Sequence, residues 1–92
     1  MSEVRRTCTI VNQRGLHARA SAKFVSAVAV LPYDCSVRVF KDSNSAGGAS
    51  ILGLMMLGAA KGDTVEVVVT GDNAEAVLGE LCALIDGGFG ED

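Results

Sequence analysis

The sequence predicts an α+β open-faced β-sandwich, βαββαβα in order, in which a four-stranded antiparallel sheet carries three helices packed on one face. Three observations lead there. Strand-like and helix-like runs alternate along a chain of 92 residues, enough for one small core. The helices are too few to cover both faces of a sheet, so one face meets water and the strands run antiparallel. Hydrophobic residues make up 49% of the chain but aromatics only 4%, so the core is built mostly from Ala, Val, Leu, Ile and Met.

Each element has its own signal. From Val4 to Val11, the residues Val4, Arg6, Cys8 and Ile10 alternate with Arg5, Thr7, Thr9 and Val11, the pattern of a half-buried strand. Asn12 to Gly15 breaks it. The Ala-rich run from Ala18 to Leu31 lacks Gly and Pro and stops before Pro32, which predicts a helix whose stripe of Ala18, Ala22, Val25, Val28 and Ala29 faces the sheet. Pro32, Tyr33 and Asp34 connect it to a second strand, Cys35 to Lys41. After the turn chemistry of Asp42, Ser43 and Asn44, a short glycine-rich edge strand returns from Ser45 to Gly48.

Ser50 is placed to cap a short apolar helix, Ile51 to Leu57, that Gly58 closes. Lys61, Gly62 and Asp63 turn the chain into Thr64 to Thr70, the strongest strand signal here. The last helix, Ala74 to Asp86, sets Val77, Leu81, Leu84 and Ile85 opposite Glu75 and Glu80. Residues 1–92 then form one domain, with 87–92 a Gly/acid tail expected to fray.

Charge and cysteine usage narrow the function classes. The net charge of −3 gives no basic surface for nucleic acid. Residues 1–41 hold seven of the eight basic residues, whereas residues 42–92 hold nine acids and Lys61 alone. Cys8, Cys35 and Cys82 are odd in number and form no C-x-x-C pair, so reduced buried thiols are expected in place of a disulfide framework or a metal site. With neither a signal-peptide pattern nor an apolar run of ~20 residues, a cytoplasmic protein not embedded in a membrane is expected.

The only histidine, His17, stands between a glycine turn and the predicted first helix, in Gly15-Leu16-His17-Ala18-Arg19. A phosphoryl carrier needs a neutral nucleophile near pH 7, and imidazole, which ordinarily titrates near ~6.5, supplies one. The unpaired N–H groups and positive dipole end of a helix start attract an anion. Arg19 adds a planar guanidinium for phosphate oxygens. Gly15 lets backbone approach closely.

At these residues the chain resembles the HPr family, the histidine-containing phosphocarriers of the bacterial phosphoenolpyruvate-dependent phosphotransferase system. Gly15-Leu16-His17-Ala18-Arg19-Ala20 matches the family's active-site signature. Ser50-Ile51-Leu52-Gly53-Leu54-Met55-Met56-Leu57-Gly58 is similar to its regulatory-serine segment, and Ala60-Lys61-Gly62-Asp63 to the turn that follows. The resemblance covers nearly the whole chain.

The resemblance implies that His17, through Nδ1, accepts a phosphoryl group from enzyme I and passes it to an enzyme IIA-type protein, in the sugar or the nitrogen-related branch. Arg19 would neutralise it, and the Ala18 and Arg19 backbone N–H groups would bind its oxygens. Such a protein is a monomeric carrier and not an enzyme, without metal or organic cofactor. Ser50 matches the serine that an HPr kinase/phosphorylase modifies in some bacterial lineages; phosphate there would weaken enzyme I binding without unfolding the chain. Ala22, Leu52 and Met55 are the expected docking residues beside the histidine.

Two departures stand out. Ala20 replaces the proline many members carry, and beyond Arg19 the first helix offers only Lys23 as a cation, so docking leans on apolar contact. Two rival readings remain. A non-catalytic module acting through the Ser50 helix would be marked by loss of His17 or Arg19, and both are present. A metabolite-binding α+β domain predicts a ligand pocket in place of an accessible histidine.

Overall fold

The computed structural model describes residues 3–32 and 34–91; Tyr33 of the first connection and Asp92 of the tail lie outside the described residues. The order is β1 (Glu3–Thr9), α1 (Ala18–Ala29), β2 (Cys35–Lys41), β3 (Asn44–Gly47), α2 (Ile51–Met56), β4 (Thr64–Gly71) and α3 (Ala74–Asp86), followed by a 3-10 turn at Gly88–Gly90. The strands form one antiparallel sheet in the order β1-β4-β2-β3. The expected open-faced sandwich is what the chain adopts. Element ends fall within one or two residues of the sequence reading, the ordinary scatter of element ends.

The central strand explains why Thr64–Gly71 is so rich in valine. Val65, Val67 and Val69 alternate onto the helix-covered face, level with Cys8 and Val4 of β1 and with Val39 and Val37 of β2. Val68 points the other way, yet it too is buried, because its register neighbours Arg5 and Arg38 stand on either side of it. Long cationic side chains can cover apolar surface with their stems. The rest of that open face is polar, and the Arg38 guanidinium lies 6.0 Å from the half-buried Phe40 ring while donating to Ser45 Oγ at 2.8 Å. Phe40 therefore interrupts the alternation of β2 without joining the core.

On the covered face, α3 lies along β1 and β4, and α1 packs beside α2. Helix α3 buries Ala74, Val77, Leu78, Leu81, Cys82 and Ile85, with Leu84 half-buried. Helix α1 departs from the expected stripe. Ala20, Ser21 and Phe24 are buried, Ala22, Val25 and Val28 are half-buried, and Ala18 and Ala29 are exposed. In a helix with so much alanine the one large ring sets the orientation, since burying a Phe side chain contributes ~1.5–3 kcal/mol and a methyl group far less. Among the described residues, no helix is long and apolar enough to cross a membrane.

The tail is the second correction. Residues 87–91 do not fray: Phe89 is only 1% exposed and belongs to the core, and Lys23 Nζ of α1 donates to the Phe89 carbonyl at 2.6 Å. Gly88 and Gly90, with φ of +65° and +73°, flank Phe89, itself at +58°, so the chain turns sharply enough to drive the ring inward. The glycines of this tail serve as a bend.

Candidate functional site

The loop between β1 and α1 is built around one close approach. Gly15 has φ of +64°, and a Cβ there would lie 2.2 Å from the Ala59 carbonyl oxygen, so no other residue fits without movement. The next amide, Leu16 N–H, donates to that oxygen at 2.9 Å, and Gly15 N–H donates to the Asn12 carbonyl at 3.2 Å. Lys61 Nζ reaches the Gln13 side-chain oxygen at 3.0 Å, and the Asp63 carboxylate caps Ala60 N–H at 2.9 Å. The turn at residues 59–63 thus braces the loop that presents the histidine.

His17 occupies the N-cap position of α1, in extended conformation, and its carbonyl accepts from Ser21 N–H at 2.9 Å. Its imidazole does not cap the helix. The first amides of α1, at Ala18, Arg19 and Ala20, precede the first i to i−4 bond, from Ser21 N–H to the His17 carbonyl, and so have no partner within the helix. Its side chain is 18% exposed, and Nε2 lies 2.8 Å from Oε2 of Glu91. Gln13, Arg14, Arg19, Lys23, Gly90 and Glu91 join His17 around a surface cleft of about 350 Å³. Three cations and one carboxylate border it, a balance that favours a dianionic group.

Glu91 is held as firmly as the ring it touches. Its Oε1 accepts from Asn12 Nδ2 at 3.1 Å, and the same Nδ2 donates to the Gly15 carbonyl at 2.8 Å. Both partners are acceptors, which fixes the orientation of the Asn12 amide. Asn12 is 2% exposed, and its Oδ1 is buried without a partner among the described residues. Burial pushes the pKa of the Glu91 carboxyl up, but hydrogen bonds from Asn12 and His17, with the charges of His17 and Lys23, outweigh it, so the pKa lies below the ordinary 4.5. Glu91 is a carboxylate at neutral pH.

The structure brings His17 and Arg19 to one cleft at the start of α1 and sets Ser50 on the neighbouring helix. Ser50 Oγ accepts from Gly53 N–H at 2.9 Å, the expected N-cap, and remains exposed. Leu52 (67% exposed) and Met55 (39%) lie on an apolar surface with Ile51 and Met56, while Leu54 is fully buried. Ala22 is half-buried on α1, which packs beside α2. Asn12, Lys23 and Glu91 were not legible as site residues. The one usable signal was Phe89, a large apolar residue between glycines in an otherwise acidic tail, which marks an anchor.

Comparison with known proteins identifies the family. A family model described as "PTS HPr component phosphorylation site" matches residues 4–87. Phosphocarrier protein NPr of Shewanella violacea is 37% identical over 91 residues, covering 99% of this chain and 98% of its own. Phosphocarrier protein HPr of Pseudomonas aeruginosa is 42% identical over 84 residues, covering 90% and 91%. Among solved structures, HPr-C-His from Thermoanaerobacter tengcongensis has a TM-score of 0.86 at 37% identity, across 100% of this chain and 99% of that one. Matched over nearly its whole length in both sequence and fold, the chain belongs to the HPr family of phosphocarrier proteins of the phosphotransferase system.

Proposed function

We propose that His17 is the phosphoryl-carrying residue, accepting from phospho-enzyme I and donating to an enzyme IIA-type protein. The observation that carries this reading is the cation-bordered cleft at the start of α1, where the only histidine of the chain lies beside Arg19 and the first helix amides. A ring nitrogen attacks phosphorus, the new N–P bond forms as the donor's bond to phosphorus breaks, and the bonding pair returns to the donor. Arg19 neutralises the phosphoryl oxygens, and the Ala18 and Arg19 N–H groups bind them. The chain carries the group between two proteins, as a covalent phosphohistidine, and catalyses nothing by itself.

Ser50 supports a second level of control. It is exposed, it caps α2, and the exposed Leu52 and half-exposed Met55 follow two and five residues later. Phosphate on its oxygen by an HPr kinase/phosphorylase would place ~2 negative charges on the surface that, with Ala22, receives enzyme I. Relatives bear both the HPr and the NPr name, so sugar-linked and nitrogen-linked acceptors are the two branches to test. We place the protein in the cytoplasm, acting as a monomer.

The test is incubation with phosphoenolpyruvate, Mg²⁺ and enzyme I, with intact mass read under neutral conditions and after acid. The expected product is one acid-labile phosphate, absent from His17→Ala. If an active cognate enzyme I adds none, the carrier reading fails and a module acting through the Ser50 helix takes its place.

A further inference from the structure

The geometry points to Glu91 as a positioning residue for phosphoryl transfer: its carboxylate holds the Nε2–H of His17 and so leaves Nδ1 as the nucleophile. This deepens the carrier reading and rests on it. The first step is hydrogen-bond arithmetic. A carboxylate can only accept, so at 2.8 Å the Nε2 atom must carry the proton. In a neutral imidazole the other nitrogen then carries the lone pair. Nδ1 has no hydrogen-bond partner among the described residues and is not buried, which leaves it open to attack phosphorus.

The second step concerns charge. When Nδ1 forms its bond to phosphorus and the donor recovers its electron pair, the proton stays on Nε2 and the ring becomes cationic. Glu91 sits on the far side of the ring from Nδ1 and offsets that charge without approaching the phosphoryl oxygens. A buried carboxylate acts on a histidine in this way in hydrolase triads, fixing the tautomer and stabilising the imidazolium. When the phosphoryl group leaves for the next protein, the electron pair returns to Nδ1 and the ring is neutral again.

The third step is rigidity. A carboxylate on a loose tail would do little, because positioning requires that the partner itself be fixed. Here Asn12 holds the second oxygen, Phe89 anchors the tail in the core two residues earlier, and Lys23 fastens the Phe89 carbonyl to α1. The ring is thus gripped from a segment far from the signature that carries it in sequence.

The test compares the wild-type protein with Glu91→Ala and Glu91→Gln, each shown to be folded by its amide spectrum. Two readouts are taken: the Nε2–H signal of His17 in a long-range proton–nitrogen spectrum, and the rate and KM of phosphorylation by phospho-enzyme I. In the wild type a slowly exchanging Nε2–H is expected. Glu91→Ala should lose that signal and transfer between about 10- and 100-fold more slowly at saturation, with KM unchanged. Glu91→Gln keeps an acceptor oxygen but no charge, so it should retain the signal and recover part of the rate. An unchanged rate in Glu91→Ala, a loss confined to KM, or an unchanged Nε2–H signal each overturns the inference. If wild-type protein takes no phosphate at all, the carrier reading fails and the transfer role falls with it, while the Nε2–H signal still reports whether Glu91 grips the ring.

Discussion

Replacing Phe89 by Ala tests whether the tail is part of the core or an appendage. The ring is 1% exposed, and truncating a buried Phe to Ala ordinarily costs 3–5 kcal/mol, from lost transfer energy plus the cavity left behind. The upper part of that range requires a site that cannot collapse, and a segment bounded by two glycines can relax, so about 3 kcal/mol is the expected loss. With a urea m-value of roughly 1.5 kcal/mol/M for a domain of this size, the midpoint should fall by about 2 M. A domain of this length has about 5–14 kcal/mol in total, so the variant should still fold in water. Phe89 also has φ of +58°, where a side chain costs about 1–2 kcal/mol relative to glycine. Phe89→Gly should therefore be no less stable than Phe89→Ala, the reverse of the usual order. A midpoint shift under about 0.5 M would show that the tail contributes nothing to the core. A glycine variant about 1 kcal/mol worse than the alanine variant would refute the left-handed geometry.

Three further outcomes are expected. Gly15→Ala drives a methyl group into the Ala59 carbonyl at a positive φ, so urea unfolding should show a loss of ~2 kcal/mol or more; a loss under ~0.5 kcal/mol would mean the loop is not braced there. Ser50→Ala removes the cap bond to Gly53 N–H and should lower stability by ~1 kcal/mol, whereas Ser50→Asp, which keeps an acceptor, should stay within a few tenths; equal losses would contradict capping. The Cys8 thiol, buried and hydrogen-bonded to Cys82 Sγ at 2.9 Å, is pushed up from 9.0 to about 12, first by burial and then by that bond. Over that window the folded chain keeps a proton that the unfolded chain releases, so the contribution is full below pH 9.0 and is lost as pH rises toward about 12. Urea midpoints should therefore drop more steeply between about pH 8 and about pH 10.5 in the parent than in Cys8→Ala, and parallel slopes would remove Cys8 as the cause.

What could be read in advance was whatever the chain declares locally. Thr64–Gly71 is a strand by composition, α3 by period, and Ser50 and Gly58 bracket α2 by their chemistry. The His17 segment was legible because its residue types serve one chemistry at one spacing. The burial face of α1 was not, since alanines carry little directional information and Phe24 alone decided the orientation. The tail was not either. Its glycines and acids read as solvent-loving, and only contacts with Asn12, His17 and Lys23, more than sixty positions away, give Glu91 and Phe89 their places.

The strand order has a consequence for how the chain is made. β4 lies at the centre, paired with β1 on one side and β2 on the other, yet it is the last strand synthesised. Thr9 waits for Thr64, and Cys35 for Gly71. At ribosomal speeds of about 5–20 residues per second, β1 emerges roughly 3–11 seconds before its only partner. The β2-β3 hairpin can close early, but it has no second neighbour until β4 arrives. Such distant pairing predicts slow folding for so small a chain, with the nascent N-terminal half depending on chaperones or on its own charge to stay free of intermolecular pairing. The cluster of basic residues in the first 41 positions is suited to that interval.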